Sequence, residues 1–196
     1  MRKFLNLSNL PCYLILTCSG PAFAADTNRG GFYVAPAISL VEHHFTLEET
    51  TPVSTTVREV EKVGIGGAAL VGYDVNVGDK ILLGARAQLD FGGSTPSTRT
   101  SLGTVGIKPR WGYGFLARAG LQVGKKALFY GGAGYGGHRY GRIAPQGVIP
   151  LKKFNNSFIL SGGVEFQFSR RQNIGFEFQH LDGTRNAVMI LLPIRF

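Results

Sequence analysis

The sequence is poor in cysteine, in acidic residues and in long apolar runs. Its 196 residues include two cysteines, Cys12 and Cys18, and both fall in the first 24 positions. The remaining chain therefore has neither a disulfide nor a thiol nucleophile. After that first segment no stretch of 18 consecutive apolar residues occurs, which excludes a transmembrane helix. Only 12 Asp and Glu stand against 21 Lys and Arg, a formal net charge of +9.

The composition argues against three further classes of protein. With 44% hydrophobic and 17% charged residues, the chain is not intrinsically disordered. Its 28 glycines disfavour a helical bundle, because an interior glycine costs a helix roughly 1 kcal/mol relative to alanine. The glycines have no period of three, which excludes collagen. The length suits one domain.

The first 24 residues have the pattern of a secretory signal peptide. Arg2 and Lys3 precede an apolar stretch from Leu10 to Thr17, and Ala22 and Ala24 place small residues before a cleavage site. The apolar stretch is too short to span a bilayer. We therefore predict a cleaved signal peptide over 1–24 and one exported domain over 25–196.

Beyond this segment, large apolar residues recur at every second position, as in β-strands. Tight connections alternate with long ones near 42–62, 92–109 and 141–156, with a shorter one near 182–186. This alternation is typical of an outer-membrane barrel with short periplasmic turns and long extracellular loops. The eight predicted strands are 31–41, 63–74, 80–91, 110–123, 127–140, 157–168, 174–181 and 187–196.

The two faces of these strands differ in polarity. One face holds large apolar and aromatic side chains, whereas the other holds glycines and charges, which suits a narrow polar lumen. The sequence predicts an all-β protein, an eight-stranded antiparallel transmembrane β-barrel. Three bases and three acids on the inner face favour a lumen plugged by paired charges over an open small-solute pore, because an unpaired buried charge is costly. This predicted network consists of Arg86, Asp90, Arg118, Glu165, Glu177 and Arg195.

Several short segments resemble one known family. GFYV at 31–34, VGYD at 71–74, GAGYG at 132–136, GGVEF at 162–166 and EFQHLDG at 177–183 are similar to segments of the small bacterial outer-membrane barrels, the OmpA-like and OmpX-like "porin family" proteins. Phe196, preceded by alternating apolar residues, resembles their assembly signal. Two positions depart from the family pattern: Gln179 stands where an arginine is common, and Ile194 where an aromatic residue is frequent.

The resemblance implies location in the outer membrane of a Gram-negative bacterium after export. It also implies contact with outer-membrane lipid and lipopolysaccharide, and recognition of Phe196 by the barrel-assembly machinery. The family includes structural anchors, adhesins, weak pores and immune-evasion proteins, so it does not define one function. We expect a monomer with a structural or surface-interaction role, and a small-solute pore is the alternative.

The sequence favours neither a cofactor nor a metal ion. Residues 132–137 match a dinucleotide-binding glycine pattern, but they fall inside a predicted strand with no helix following. Glu42, His43 and His44 are candidate metal ligands, yet neighbouring strand residues point to opposite faces and chelate poorly. His138 and His180 lie elsewhere in the sequence. We assign no metal site and no cofactor.

An enzymatic function is a less favoured alternative. Some eight-stranded barrels deacylate lipid A with a His-x-Ser pair in a late strand, where this chain has His180-Leu181-Asp182. An aspartate does not supply the hydroxyl nucleophile that a histidine activates, and Thr184 is the nearest hydroxyl. We therefore predict that the protein is not an enzyme.

The predicted outer loops carry a basic surface. Arginine and lysine bind phosphate, which lipopolysaccharide presents at the outer rim. A host polyanion would meet the same charges, although a nucleic acid is not an expected partner. The predicted polyanion contacts are Arg139, Arg142, Lys152 and Lys153.

Overall fold

A computed structural model of the protein describes residues 29–50, 55–100, 103–143, 154–169, 171–181 and 185–196, without the side chains of 48–50, 142 and 154. The predicted signal peptide at 1–24 lies outside these residues. Within the described ranges, no helix is long and apolar enough to cross a membrane.

The described chain consists almost entirely of antiparallel β-strands, as the alternating pattern predicts. Ten strands are described: β1 Gly31–Thr50, β2 Thr55–Val77, β3 Ile81–Gly92, β4 Ser97–Thr100, β5 Gly103–Val123, β6 Ala127–Ile143, β7 Phe154–Gln167, β8 Asn173–Leu181, β9 Arg185–Leu191 and β10 Ile194–Arg195.

The strands close into a ring of eight. Each strand pairs with its neighbour in sequence, except that β3 pairs with β5, the short β4 pairs only with β5, and β10 pairs with β1 rather than with β9. β1 closes the ring by pairing with β9, from Ala37↔Leu191 to His43↔Arg185, and with β10 at Tyr33↔Arg195. β9 and β10 form one barrel strand interrupted before Ile194, where a proline at 193 has no N–H to donate. The predicted eight-stranded antiparallel barrel is confirmed.

One end of the barrel has tight turns. Residues 78–80 and 124–126 form turns between paired strands, and each begins with a glycine of positive φ, 70° at Gly78 and 63° at Gly124. Glycine adopts this conformation without a steric penalty, so the strands reverse within three residues. These turns define the end that corresponds to the predicted periplasmic side.

At the other end, the predicted loops were too long. β1 and β2 stay paired from the barrel out to Thr50↔Thr55, so most of 42–62 is a β-hairpin. The 92–109 connection contains β4 and the beginning of β5, and β6 continues to Ile143. Phe45, Ile107 and Tyr140 pack together inside these extensions and give them an apolar core of their own.

The apolar side chains face outward. Along β8 and β9, buried residues alternate regularly with exposed or half-buried ones, as expected for a pleated strand with two unlike faces. Phe115, Leu160 and Ile38 are more than half exposed although they are strongly apolar, and such a surface fits lipid rather than water. Exposed aromatic residues lie near both ends of the belt, with Phe91, Trp111 and Phe158 at one end and Phe32, Tyr73, Phe129, Phe168, Phe176 and Phe196 at the other.

Because the apolar face points outward, we predict that a charge placed on it destabilises the barrel, and most strongly near the middle of the bilayer. Ala117 lies on the exterior face near the middle of the lipid-facing part of β5, so Ala117→Arg should lower the free energy of unfolding by about 2–4 kcal/mol. Val57 lies on the β2 extension outside the belt, so Val57→Arg should cost about 0–1 kcal/mol. Urea unfolding in phospholipid vesicles measures both. Equal losses would show that the apolar face does not meet lipid.

Candidate functional site: charged lumen and outer rim

The structure places all six residues of the predicted charge network inside the barrel. Each side chain points from its strand into the lumen, and none is more than 6% exposed. They come from β3, β5, β7, β8 and β10, so the network spans the ring. The members are Arg86, Asp90, Arg118, Glu165, Glu177 and Arg195.

Near the end with the tight turns, two arginines and two acids form a closed cycle. Arg118 donates to Glu165 Oε1 at 2.8 Å, and its Nε lies 3.5 Å from Asp74 Oδ1. Arg195 donates to Asp74 Oδ2 at 2.8 Å and to Glu165 Oε2 at 3.0 Å. Each acid thus contacts both cations, which offsets part of the desolvation of all four groups.

Aromatic and amide side chains complete this cycle. The Arg118 guanidinium lies 4.3 Å from the ring centroid of Tyr130 and donates to the Tyr33 hydroxyl at 3.2 Å. Asn173 donates to Glu165 Oε2 at 3.2 Å. Such contacts offset part of the solvation that the charged groups lose on burial. Arg29 is also buried at this end, and its guanidinium nitrogens have no hydrogen-bond partner among the described residues.

Arg86 and Glu177 form a bidentate pair in the middle of the lumen. Arg86 Nη1 and Nη2 lie 2.6 and 2.7 Å from the two carboxylate oxygens of Glu177. The Tyr130 hydroxyl donates to Glu177 Oε2 at 2.7 Å. Parallel guanidinium–carboxylate bonds are the strongest class of side-chain hydrogen bond, so this pair holds β3 to β8 across the lumen.

Toward the outer end, a layer of amides joins a second ion pair. Gln88 and Gln179 exchange two hydrogen bonds of 3.0 Å. Arg185 donates to Gln179 Oε1 at 2.9 Å and to Asp90 Oδ1 at 3.2 Å. Gln179, which stands where the family often has arginine, thus lies within hydrogen-bond reach of both an amide and a guanidinium.

Two residues of the charge network were not predicted from the sequence. Asp74 has the same strand parity as Leu70, so alternation alone could have placed it in the lumen. Arg185 fell in a predicted loop at 182–186, but β9 begins at this residue and directs its side chain inward. As a result Asp90 pairs with Arg185 rather than with one of the three predicted arginines. Within the described chain, four arginines are therefore ion-paired with four acids.

Above this layer lies a buried cluster of His43, His138 and Tyr140. The two imidazole centroids are 5.1 Å apart, and the Tyr140 hydroxyl is 3.2 Å from His43 Nδ1. His43 is 0% exposed and His138 is 2% exposed.

The exterior of β5 and β6 carries exposed basic residues just outside the apolar belt. Lys108, Arg110 and Arg139 are exposed, and Arg139 is the cross-strand partner of Trp111. Arg110 lies over Gly141, the cross-strand partner of Lys108. None of the three basic residues forms an ion pair with another described residue. We refer to Lys108, Arg110 and Arg139 as the outer basic patch.

Of the predicted polyanion contacts, only Arg139 has a described side chain. Arg142 lies in β6, opposite Ile107. Lys152 and Lys153 lie outside the described residues. The structure therefore shows Arg139 beside Lys108, which falls in the predicted 92–109 loop, and Arg110, which begins the predicted strand 110–123.

The remaining candidates from the sequence do not assemble into a catalytic or cofactor site within the described residues. The glycine pattern at 132–137 lies inside β6, as its strand context predicts. Glu42 and His180 both lie on the exterior, where Asn186 donates to Glu42 at 2.9 Å and accepts from His180 Nδ1 at 2.6 Å. Asp182 and Thr184 lie outside the described residues. No group of three or more His, Asp or Glu side chains suited to a metal ion is found in the described part of the chain.

The sequence matches a family model, and the fold resembles several solved structures. Residues 10–188 match the family model described as "Outer membrane protein beta-barrel domain". No curated protein sequence matches the chain. One similar solved structure is Ail, the attachment invasion locus protein of Yersinia pestis, in complex with the heparin analogue sucrose octasulfate. It is 14% identical with a TM-score of 0.51, and the match covers 85% of this chain and 99% of Ail. Neisserial surface protein A is 11% identical with a TM-score of 0.51, over 85% of this chain and 97% of that one.

The Arg86–Glu177 pair predicts strong energetic coupling. Arg86→Met alone or Glu177→Met alone leaves one buried charge without its partner and should cost about 3–5 kcal/mol of unfolding free energy. The double variant removes both charges and should cost less than the sum of the two. Urea unfolding of the four proteins in vesicles gives the coupling energy directly. Additive losses would show that the two side chains stabilise the barrel independently.

Proposed function

This chain belongs to the outer-membrane protein β-barrel family, and from that premise we propose that it is a non-enzymatic surface protein whose closed barrel presents a polyanion-binding outer rim. The observation that carries the proposal is the outer basic patch: three exposed cations without a described acidic partner, next to an aromatic residue of the lipid belt. In the outer membrane this level is where lipopolysaccharide presents its phosphates.

The chemistry of the patch favours an anionic ligand with several charges. Arginine binds phosphate and sulfate through parallel hydrogen bonds, and lysine adds a mobile point charge. Basic side chains near an anionic membrane surface contribute roughly 1 kcal/mol each. Lipopolysaccharide of the same membrane is the proposed first partner. A sulfated host polysaccharide has the same chemistry, and the sulfated ligand held by the Ail structure supports it as a second.

The interior supports a structural rather than a conducting barrel. Ion pairs and one amide pair cross the lumen, and the side chains involved are almost fully buried. Moving a solute through would require breaking several charge-assisted bonds at once. The alternative, a small-solute pore, requires those side chains to line a continuous water path.

Export and assembly follow the family's route in this proposal. The segment 1–24 directs secretion, and the barrel-assembly machinery recognises the last strand with Phe196. In the folded barrel the Phe196 backbone donates to the Phe32 carbonyl at 3.0 Å, and the two rings lie 6.1 Å apart. Phe196 therefore contacts the strand against which the barrel must close. The folded protein is proposed to act as a monomer.

A closed lumen predicts the absence of stable conductance. The folded protein in planar bilayers should give no large, long-lived current steps, because paired side chains fill the bore. The variant Gln88→Ala/Gln179→Ala removes the neutral amide pair without leaving a charge unpaired, and it should raise conductance. Large stable steps from the unaltered protein would instead support the pore.

The outer basic patch predicts salt-sensitive binding. The triple variant Lys108→Gln/Arg110→Gln/Arg139→Gln should bind lipopolysaccharide and heparin at least about tenfold more weakly at low ionic strength, since each lost contact removes roughly 1 kcal/mol. Binding is measured on sensors carrying the folded protein.

The matched control removes the same number of charges at the opposite end. Lys80, Lys125 and Lys126 are exposed in or next to the tight turns. Their triple glutamine variant should bind both polyanions within about twofold of the unaltered protein, although its net charge falls equally. If the two triple variants weaken polyanion binding equally, binding depends on net charge and not on the outer basic patch.

A further inference from the structure

The lipid-facing surface has a groove across β1, β2, β3 and β5 that the polyanion-binding role does not use. We propose that this groove holds one acyl chain of the lipopolysaccharide molecule whose phosphates the outer basic patch binds. The inference rests on the proposed function, since it assigns the apolar part of the same ligand. We call this depression the acyl groove; its floor and walls are formed by Ala69, Ala87, Val71, Leu89, Tyr113 and Phe115.

The acyl groove forms because small side chains lie between large ones on neighbouring strands. Ala69 is the cross-strand partner of Leu89, and Ala87 is the partner of both Val71 and Phe115. Val71, Leu89 and Phe115 are 40%, 48% and 64% exposed, so they stand out from the barrel as walls. The depression has a volume of about 530 Å³, within the range of about 300–1,000 Å³ that is typical of ligand pockets.

A second hollow lengthens the groove along β3 and β5. Ala85 and Ala117 are cross-strand partners, and they lie at the bottom of a hollow of about 400 Å³. This hollow shares Ala87 and Phe115 with the first one. The two together form an elongated depression on both sides of the Phe115 ring, a shape that suits an extended chain better than a compact molecule.

The lining of the groove suits a hydrocarbon. Gln88 contributes to the lining, but its side chain is hydrogen-bonded to Gln179 inside the lumen at 3.0 Å. The Tyr113 hydroxyl is directed toward Asn156 on β7, 3.5 Å from Oδ1, so its polar end points away from β3. A methylene chain in the groove therefore meets methyl groups and aromatic rings, and its many weak dispersion contacts add up.

The position of the groove connects it to the outer basic patch. On β5 the aromatic Trp111 marks the outer end of the belt, and Tyr113 and Phe115 follow it closely, whereas the tight turn begins only at Gly124. The β5 wall of the groove thus lies in the outer half of the belt. Arg110 precedes Tyr113 by three residues, about 10 Å along an extended strand. One lipid molecule can therefore place a phosphate at the patch and a chain in the groove.

A second copy of the barrel is a poorer occupant of the groove. In a two-fold symmetric dimer each subunit presents the same surface to the other. Because the outer basic patch adjoins the groove on β5, such a dimer would bring the patches of both subunits to one rim. Juxtaposed like charges are costly, whereas the phosphates of a lipopolysaccharide molecule neutralise the same cations.

The experiment compares lipopolysaccharide with two ligands that lack acyl chains. Ala87→Phe fills the groove with an apolar side chain, and Phe115→Ala removes a wall. With the full folded chain in phosphatidylcholine nanodiscs, each variant should bind hexa-acylated lipopolysaccharide at least about fivefold more weakly, because the chain loses packing contacts. Their affinities for chemically deacylated lipopolysaccharide and for heparin should stay within about twofold of the unaltered protein.

The matched control is an exterior alanine outside the groove. Ala133 is exposed on β6 and lines neither hollow, so Ala133→Phe should leave lipopolysaccharide affinity within about twofold. A shift in gel mobility on heating verifies that each variant is folded. Equal affinities of folded Ala87→Phe and Ala133→Phe for lipopolysaccharide would overturn the acyl site. A dimer of the unaltered protein that is lost in Ala87→Phe would overturn it as well.

The outer basic patch has its own readout in the same assay. If the patch does not bind polyanions, the triple variant Lys108→Gln/Arg110→Gln/Arg139→Gln keeps its affinity for heparin, a ligand that does not use the groove. Failure of the acyl groove leaves heparin binding sensitive to that triple variant and makes lipopolysaccharide binding insensitive to Ala87→Phe. The two failures are therefore distinguishable.

Discussion

A bilayer has no hydrogen-bond partner for the backbone, and this constraint determines the rest of the structure. Each N–H and C=O group left unsatisfied in lipid costs several kcal/mol, so strands that cross the membrane must close into a ring. β1 provides the closure by pairing with β2 on one side and with β9 and β10 on the other. Once the ring is closed, every strand has one lipid-facing and one luminal face, and all polar side chains within the membrane must share the lumen.

The narrow lumen then requires neutralisation of its charge. Eight strands enclose only enough space for side chains, so an arginine there loses water and must meet an acid. The luminal charges are neutralised by ion pairs that cross the barrel, such as Arg86 with Glu177, rather than by pairs between neighbours on one strand. The same condition explains why Asp74 and Arg185 belong to the network: the acids and bases that the sequence suggested form complete pairs only when both are added.

Alternation in the sequence predicted the fold and the face of each residue, because a strand's period of two depends on local geometry alone. The level of a residue along the barrel axis was not predictable in this way. It depends on the register of every strand pair around the ring, which is a property of the closed sheet. Glu165 and Arg118 have inward parity in the sequence, but their distance of 2.8 Å follows from register. The approach of His43 to His138 could not be predicted for the same reason.

The extensions of β1 and β2 beyond the apolar belt were not predicted by the alternation of apolar residues. Polar and charged residues in 42–62 suggested a loop, yet outside the bilayer a hairpin tolerates polar side chains on both faces, and β1 and β2 remain paired to Thr50↔Thr55. An antiparallel hairpin is stable there because Phe45 on its inner face packs against Ile107 and Tyr140. Contact with lipid determines which residues are favoured in the belt. Strand pairing and side-chain packing determine how far a strand continues. The outer basic patch lies on paired strands, whose backbone hydrogen bonds fix the backbone positions of Lys108 and Arg139.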